Sequence, residues 1–307
     1  MVGGQLFTYC LGPYVSVSIF NFVSAIFPAL FLILFTLLGE ETPYYYIRIG
    51  EYKLAKETLK KFRSTANDEE LEIENDLSMI QRKMEEQSKG TLLDIFRSKG
   101  LIKALIMAEG LLLLQQLTGV NAVLFYSQTI FSETVSGIDA EVCSIIIGAV
   151  HFVCSFIAPL ILDRLNRTFL LLVSTIGLMA CETLLGVYSY LKHHGENVDS
   201  WSFLPIITLT LYMIFFMAGM GPMPWFILAE IFPVRLKTIV SSSVACTNWM
   251  LGFFVTKYFG DMKDAIGLAQ SFWIFAGCCA LGALFIKFYV IETRGKSLEE
   301  IQDILNK

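Results

Sequence analysis

Gln115, Gln116 and Asn121 sit inside one apolar stretch, in the run Gln115-Gln116-Leu117-Thr118-Gly119-Val120-Asn121. Asn248, followed by Trp249, sits inside another. A side-chain amide carries both a donor and an acceptor, and no charged residue stands beside these positions. That combination suits a neutral polyhydroxyl ligand, whose hydroxyls also donate and accept. Trp225, in Gly221-Pro222-Met223-Pro224-Trp225, adds an apolar ring face with one N–H. His151, near the middle of a third apolar stretch, is an ionisable group in apolar surroundings and therefore a further candidate. A structural reading competes at each position. Amides commonly bond between membrane helices, and a neutral histidine can bond a helix carbonyl. Glu109 and Glu182 are the other acids inside apolar stretches, and residue type assigns them no role. No nucleophile–base pair, metal-ligand spacing or phosphate loop stands out. The expectation is a binding protein without cofactor or metal, not an enzyme.

The elements that must position these residues follow from composition. With 55% apolar and 17% charged residues and a mean hydropathy of +0.60, the 307-residue chain is too apolar for a soluble domain. A helical crossing of the bilayer needs about 20 apolar residues, and backbone groups in lipid must be satisfied within the element, so the spans are helices. Seven are predicted: 17–39, 101–124, 142–163, 168–191, 202–227, 238–259 and 266–291. Residues 1–14 read as membrane helix too short to cross alone. The fold class is an all-α membrane protein. Two spans are interrupted, one at Gly119 and one at Gly221, Pro222 and Pro224, in the manner of membrane helices that line a transporter cavity. On an unbroken helix Gln115, Gln116 and Asn121 would point apart; a break at Gly119 lets them converge.

Charge sets the orientation. Twelve of the 23 Lys and Arg lie between Arg48 and Lys103, and most of the others fall in alternate connections or the tail. Basic residues mark the cytosolic side, so 40–100 and the C-terminus are expected there. That segment also carries thirteen Asp and Glu, so nucleic acid is not an expected partner; lipid bilayer is. Gly50 to Arg63 reads as an amphipathic helix with Leu54, Leu59 and Phe62 on one side. Asn67 with Glu70 resembles a capping box opening a second helix to about Gln87, and Thr91 and Asp94 suit the start of a short third one. The division expected is 1–39, a cytosolic helical linker 40–100, a six-helix group 101–291 and a cytosolic tail 292–307. Glu41, Arg167, Glu230, Lys237 and Glu292 all fall at helix ends on the basic side. Charge pairs there would lock one face of a rocking transporter shut; ordinary topology charge is the alternative.

These motifs resemble those of the sugar porter family of the major facilitator superfamily, and most of all its insect trehalose and hexose carriers. Glu41-Thr42-Pro43-Tyr44-Tyr45 is similar to the family's Pro-Glu-Ser-Pro-Arg, and Gln115 to Asn121 to its Gln-Gln-Leu-x-Gly-x-Asn. Asp163-Arg164-Leu165-Asn166-Arg167 is similar to Asp/Glu-Arg-x-Gly-Arg-Arg, Gly221 to Glu230 to Gly-Pro-x-Pro-Trp with its following Glu, and Glu292 to Leu298 to Pro-Glu-Thr-Lys-Gly. Glu40 and Ile291 stand in place of motif prolines, Asn166 of a glycine and Tyr44 of an arginine. The resemblance implies facilitative transport of a neutral sugar in the plasma membrane. It implies that Gln115, Gln116, Asn121, Trp225 and Asn248 contact sugar hydroxyls, with His151 where the family places another amide. It also implies that Glu41, Arg167, Glu230 and Glu292 belong to an inward gate.

The family fold has twelve helices. On that basis the expectation is a partial major facilitator fold: the complete C-terminal six-helix bundle plus about one and a half helices of the N-terminal bundle (the end of helix five, and helix six). A non-transporting sugar sensor or subunit is the alternative, and a seven-helix receptor a more distant one. Oligomeric state, the particular sugar and proton coupling are not encoded in these motifs. Because alternating access needs both bundles, the polypeptide reconstituted alone in liposomes is expected to show no saturable uptake of radiolabelled glucose or trehalose; robust saturable flux would contradict this.

Overall fold

The computed structural model describes residues 2–63, 70–87, 91–135, 138–162, 164–196 and 198–306. Asn67 of the expected capping box and Asp163 of the Asp163–Arg167 motif lie outside the described residues. Among the described residues the elements are all helical. Seven are long and apolar enough to cross a membrane: Val17–Leu38, Lys99–Phe125, Ala140–Leu162, Arg167–His193, Leu204–Ile231, Val234–Ile266 and Leu268–Tyr289. Six of these lie within a few residues of the predicted stretches. Val234–Ile266 extends well past the predicted 238–259, because its helix continues through Asp261, Lys263 and Asp264, polar residues that end an apolar count without ending a helix.

The chain divides into two compact units. The first comprises 1–14, 93–232 and 239–307. It contains α1 (Val2–Leu11) and, in place of one helix through 99–125, α6 (Lys99–Leu117) and α7 (Val120–Phe125), followed by α8 (Ser127–Thr134), α9 (Ala140–Leu162) and α10 (Arg167–His193). The broken fourth span gives α11 (Leu204–Ala218) and α12 (Met223–Ile231). α13 (Val234–Ile266, from Ile239 onward in this unit), α14 (Leu268–Tyr289) and α15 (Leu298–Asn306) complete it. α10 packs on both α11 and α14, α9 on α11, and α6 on α14. Leu111, Leu112, Leu171, Leu178, Met213 and Phe272 fill the centre, fully buried. Phe156, Leu160, Leu281 and Phe288 point outward, as lipid-facing residues do when hydrocarbon replaces water as solvent. α1 lies on α9, and its Tyr9 hydroxyl donates to the Leu124 carbonyl of α7.

The second unit comprises 15–92 and 233–238. Ser16 caps α2 (Val17–Leu38). Thr42 caps α3 (Pro43–Ile49), whose Tyr45 N–H donates to the Thr42 hydroxyl at 3.3 Å. Pro43 at the first helical position suits its fixed φ. The expected amphipathic helix is α4 (Tyr52–Arg63), and a second polar helix follows as α5 (Glu70–Gln87). They meet through buried Ala55 and Ile73 and the Lys56–Glu74 pair at 3.1 Å. Leu54 and Phe62, grouped by their periodicity, are both exposed.

The interruption between α11 and α12 turns on Gly219. A Cβ there would fall 2.5 Å from the Leu170 carbonyl oxygen and 2.6 Å from Ser174 Cβ, and a backbone atom cannot swing aside. Small residues let membrane helices approach this closely. Gly219→Ala is therefore expected to push α11 off α10, costing about 1–3 kcal/mol, read as a lower melting temperature of the purified chain in detergent. An unchanged melting temperature would contradict the close approach.

Candidate functional site

Two helix breaks inside the apolar layer position the candidate residues. At the first, α6 ends at Leu117 and Gly119 takes the left-handed conformation at φ 72° before α7 begins. Breaking the helix frees carbonyls, which must be met inside the protein. The Thr118 hydroxyl donates to the Gln115 carbonyl at 2.7 Å, and the Tyr212 hydroxyl of α11 donates to the Thr118 carbonyl at 2.7 Å. At the second break, the Gly221 N–H turns back to the Phe216 carbonyl at 2.8 Å. The Met220 N–H donates to the Ser174 hydroxyl at 2.9 Å, which itself donates to the Phe215 carbonyl at 2.7 Å. The Met220 and Gly221 carbonyls accept from one Gln115 amide nitrogen at 2.7 and 2.6 Å. Each broken span thus receives a side chain from the other.

This arrangement separates Gln115 from its neighbour. Its nitrogen is committed to backbone, whereas Gln116 turns to α13 and donates to Asn248 Oδ1 at 3.1 Å. The Asn121 amide donates to Gln116 Oε1 at 2.6 Å. The Gly119 kink thus draws Gln116 and Asn121 together. Gly252, one turn beyond Asn248, leaves room for both: a Cβ there would stand 3.0 Å from each amide. The three amides form a chain, Asn121 to Gln116 to Asn248. Its terminal atoms, Asn121 Oδ1 and Asn248 Nδ2, make no hydrogen bond among the described residues. Asn248 is 1% exposed and Asn121 is half-buried, so the chain runs from a more open end to a closed one. Trp225 on α12 is half-buried. His151 on α9 is buried, and its Nδ1 has no partner among the described residues. Neither bonds to the amide chain among the described residues.

At the first turn of α10 three of the expected charges meet. Arg167 Nη2 pairs with Glu230 Oε1 at 3.0 Å, and Nη1 donates to the Leu162 carbonyl at 2.9 Å. Glu292 caps α10 from across the chain: its oxygens accept the Arg167 and Thr168 backbone N–H groups at 3.0 and 3.1 Å, and the Arg294 N–H at 3.0 Å. Asn166, the residue in the capping position, makes no side-chain cap. A carboxylate at a helix N-terminus is favoured by the helix dipole and the open N–H groups. Sequence reasoning missed Thr293, whose hydroxyl donates to Glu230 Oε2 at 2.6 Å and which is buried. It also missed Ser174. Thr293 lay within a motif already singled out; nothing marked Ser174. Glu41 and Lys237 belong to the second unit, where both are exposed.

Partial burial pushes the Glu292 carboxyl up, but the backbone N–H groups of Arg294, Thr168 and Arg167 outweigh it and hold it below the ordinary value. A depressed carboxylate adds stability above its unfolded value, near 4.3, and that stability is lost as pH falls through the lower folded value. Glu292→Gln is expected to cost about 0.3–1 kcal/mol at neutral pH. The penalty should shrink as pH falls below the unfolded value and through the lower folded one; a penalty independent of pH would contradict the charge-based cap.

Residues 1–305 match the family described as Sugar (and other) transporter. The facilitated trehalose transporter Tret1-2 homolog of Drosophila sechellia is 38% identical over 300 residues, 97% of this chain and 61% of its own length. The facilitated trehalose transporter Tret1 of Polypedilum vanderplanki is 37% identical, covering 97% and 59%. The chain spans about three-fifths of the length of these curated relatives. Among solved structures, the inward open xylose transporter XylE from E. coli superposes with a TM-score of 0.77 at 21% identity, over 99% of this chain and 63% of that one. The proton:xylose symporter XylE bound to 6-bromo-6-deoxy-D-glucose gives 0.73 at 23%, over 99% and 65%. At such identity the likeness is one of fold. Matched along almost all of its sequence, and built from broken and unbroken membrane helices of that fold, the chain belongs to the sugar transporter family.

Proposed function

We propose that the chain serves facilitative transport of a neutral sugar, trehalose or a hexose, by alternating access, with the Asn121–Gln116–Asn248 amide chain as its sugar-bonding element. The observation that carries this reading is the pair of unbonded amide atoms at the ends of that chain, one acceptor and one donor. A hydroxyl both donates and accepts, so a polyol can bond these ends without any charge, the Asn121 end first and the Asn248 end once alternating access uncovers it. The half-buried Trp225 ring and the unpartnered His151 nitrogen supply further contacts. Gln115 is assigned to the backbone it already bonds. Relatives named as facilitated trehalose transporters support the choice of sugar.

The Arg167–Glu230 pair and the Glu292 cap serve as a gate on the same reading. By the bias of basic residues, this end, the 40–100 segment and the C-terminus face the cytosol from the plasma membrane. Glu41 and Lys237 are proposed as gate charges of the second unit, by charge and by their place at helix ends. Alternating access moves two helical groups about one site, and a sensor built on the same helices would bind without flux. Uptake measured beside binding separates the two once both helical groups are supplied.

Replacing Gln116 and Asn121 together by leucine removes the middle and one end of the amide chain. Equilibrium binding of radiolabelled trehalose and glucose to the purified chain is expected to weaken about tenfold or more, at roughly one decade for each hydrogen bond lost. Gln115→Leu should instead lower the melting temperature, since two buried carbonyls lose their donor. Unaltered sugar binding in the double variant would sink the assignment.

A further inference from the structure

α1 reads VGGQLFTYCL and carries one amide, Gln5. Two small residues let it sit close on α9. At Gly148 a Cβ would stand 2.6 Å from the Tyr9 ring and 3.3 Å from Leu6, and at Gly3 one would stand 3.3 Å from the Phe152 ring. The later part of α1 thus meets Gly148 and its beginning meets Phe152, so the two helices run in opposite directions. Gly148 and Phe152, one turn apart, mark the stretch of α9 that α1 covers. His151, whose buried Nδ1 has no partner among the described residues, lies on the turn between them.

Tyr9 and Gln5 are also one turn apart. Leu124 is in the last turn of α7, and the final carbonyls of a helix have no partner inside it. The Tyr9 hydroxyl fills one of these places by donating to the Leu124 carbonyl, and it accepts from Gln5 Nε2 at 3.1 Å. Tyr9 therefore ties α1 to the helix that carries Asn121. Asn121 and Leu124 are three residues apart, which puts their Cβ atoms about 5–6 Å from one another on α7.

Gln5 is left half used. Its nitrogen is held by Tyr9, whereas Oε1 makes no hydrogen bond among the described residues and is not enclosed. Thr8, on the same helix, shows the ordinary solution for a polar side chain in an apolar element: its hydroxyl donates to the Gly4 carbonyl at 2.9 Å. An amide oxygen left open in an apolar helix is costly unless water or a ligand meets it. Asn121 Oδ1 is the other open acceptor nearby, at the less buried end of the amide chain. Two acceptors on either side of the Tyr9 bond suit a ligand that brings several hydroxyl protons.

We propose that Gln5 is a further sugar-contacting residue, its Oε1 accepting a hydroxyl of the sugar held at the Asn121 end of the amide chain, with Tyr9 as the residue that positions it. This rests on the sugar-binding reading of the amide chain and adds α1 to that site as a second wall. The test is equilibrium binding of trehalose and glucose, and of their monodeoxy analogues, to the full chain in phosphatidylcholine nanodiscs. Gln5→Leu is expected to weaken the parent sugar about tenfold, as befits one hydrogen bond. The analogue lacking the bonded hydroxyl should bind Gln5→Leu as well as it binds the unaltered chain, because variant and analogue remove the same bond. Tyr9→Phe keeps a ring against Gly148 while releasing Gln5, and should show the same dependence on the analogue at reduced size. Weakening of every analogue by one factor would mark a disturbance of packing and overturn the proposal. So would a Gln5→Leu variant that binds normally while the Gln116, Asn121 double leucine variant does not, an outcome that leaves the amide chain standing. Absence of sugar binding to the unaltered chain would overturn both.

Discussion

A helix cannot be interrupted in hydrocarbon unless every freed backbone group finds a partner within the protein. This chain interrupts two neighbouring spans and satisfies each from the other. Gln115, at the first break, holds the Met220 and Gly221 carbonyls of the second. Tyr212, on α11 of the second span, holds the Thr118 carbonyl of the first. Ser174 on α10 ties in a third helix by accepting from Met220 and donating to Phe215. Because these bonds fix the backbone locally, the adjacent amide of Gln116 is left to face α13 and to build the chain with Asn121 and Asn248.

The charged end of the bundle follows a similar economy. Glu292 does at α10 what Asn166 does not, and it does so from a segment more than a hundred residues later. Arg167 gives its backbone to Glu292 and its guanidinium to Glu230, while Thr293 steadies the second Glu230 oxygen. The start of one helix, the end of another and the connection after α14 are thus joined by a few partly buried groups. Exposed ion pairs contribute little to stability; here most of the bonds run to backbone N–H and C=O groups with fixed directions, so the arrangement defines geometry more than energy.

The spans were legible because hydropathy alone determines them, and the breaks because glycine and proline mark them. The convergence of Gln116 and Asn121 followed from the kink at Gly119. The separate fate of Gln115 did not, since two adjacent glutamines look alike until the carbonyls opposite them are known. The reach of α13 to Ile266 was hidden by lysines and aspartates that continue a helix beyond the apolar layer. Ser174 was invisible for another reason: a serine in an apolar helix usually bonds its own preceding turn, and only the packing reveals one that does otherwise.

The last helix brings these ends into mechanical register. α15 opens with a reciprocal cap, Ser297 N–H to Glu300 and Glu300 N–H to the Ser297 hydroxyl. It then clasps two separate spans: Gln302 donates to the Ile231 carbonyl that ends α12, and Asn306 accepts the Gly100 N–H that begins α6. A short amphipathic segment thereby works as a yoke. The two interrupted spans are pinned to one crossbar at their tips as well as stitched at their breaks, so neither can tilt without carrying the other along.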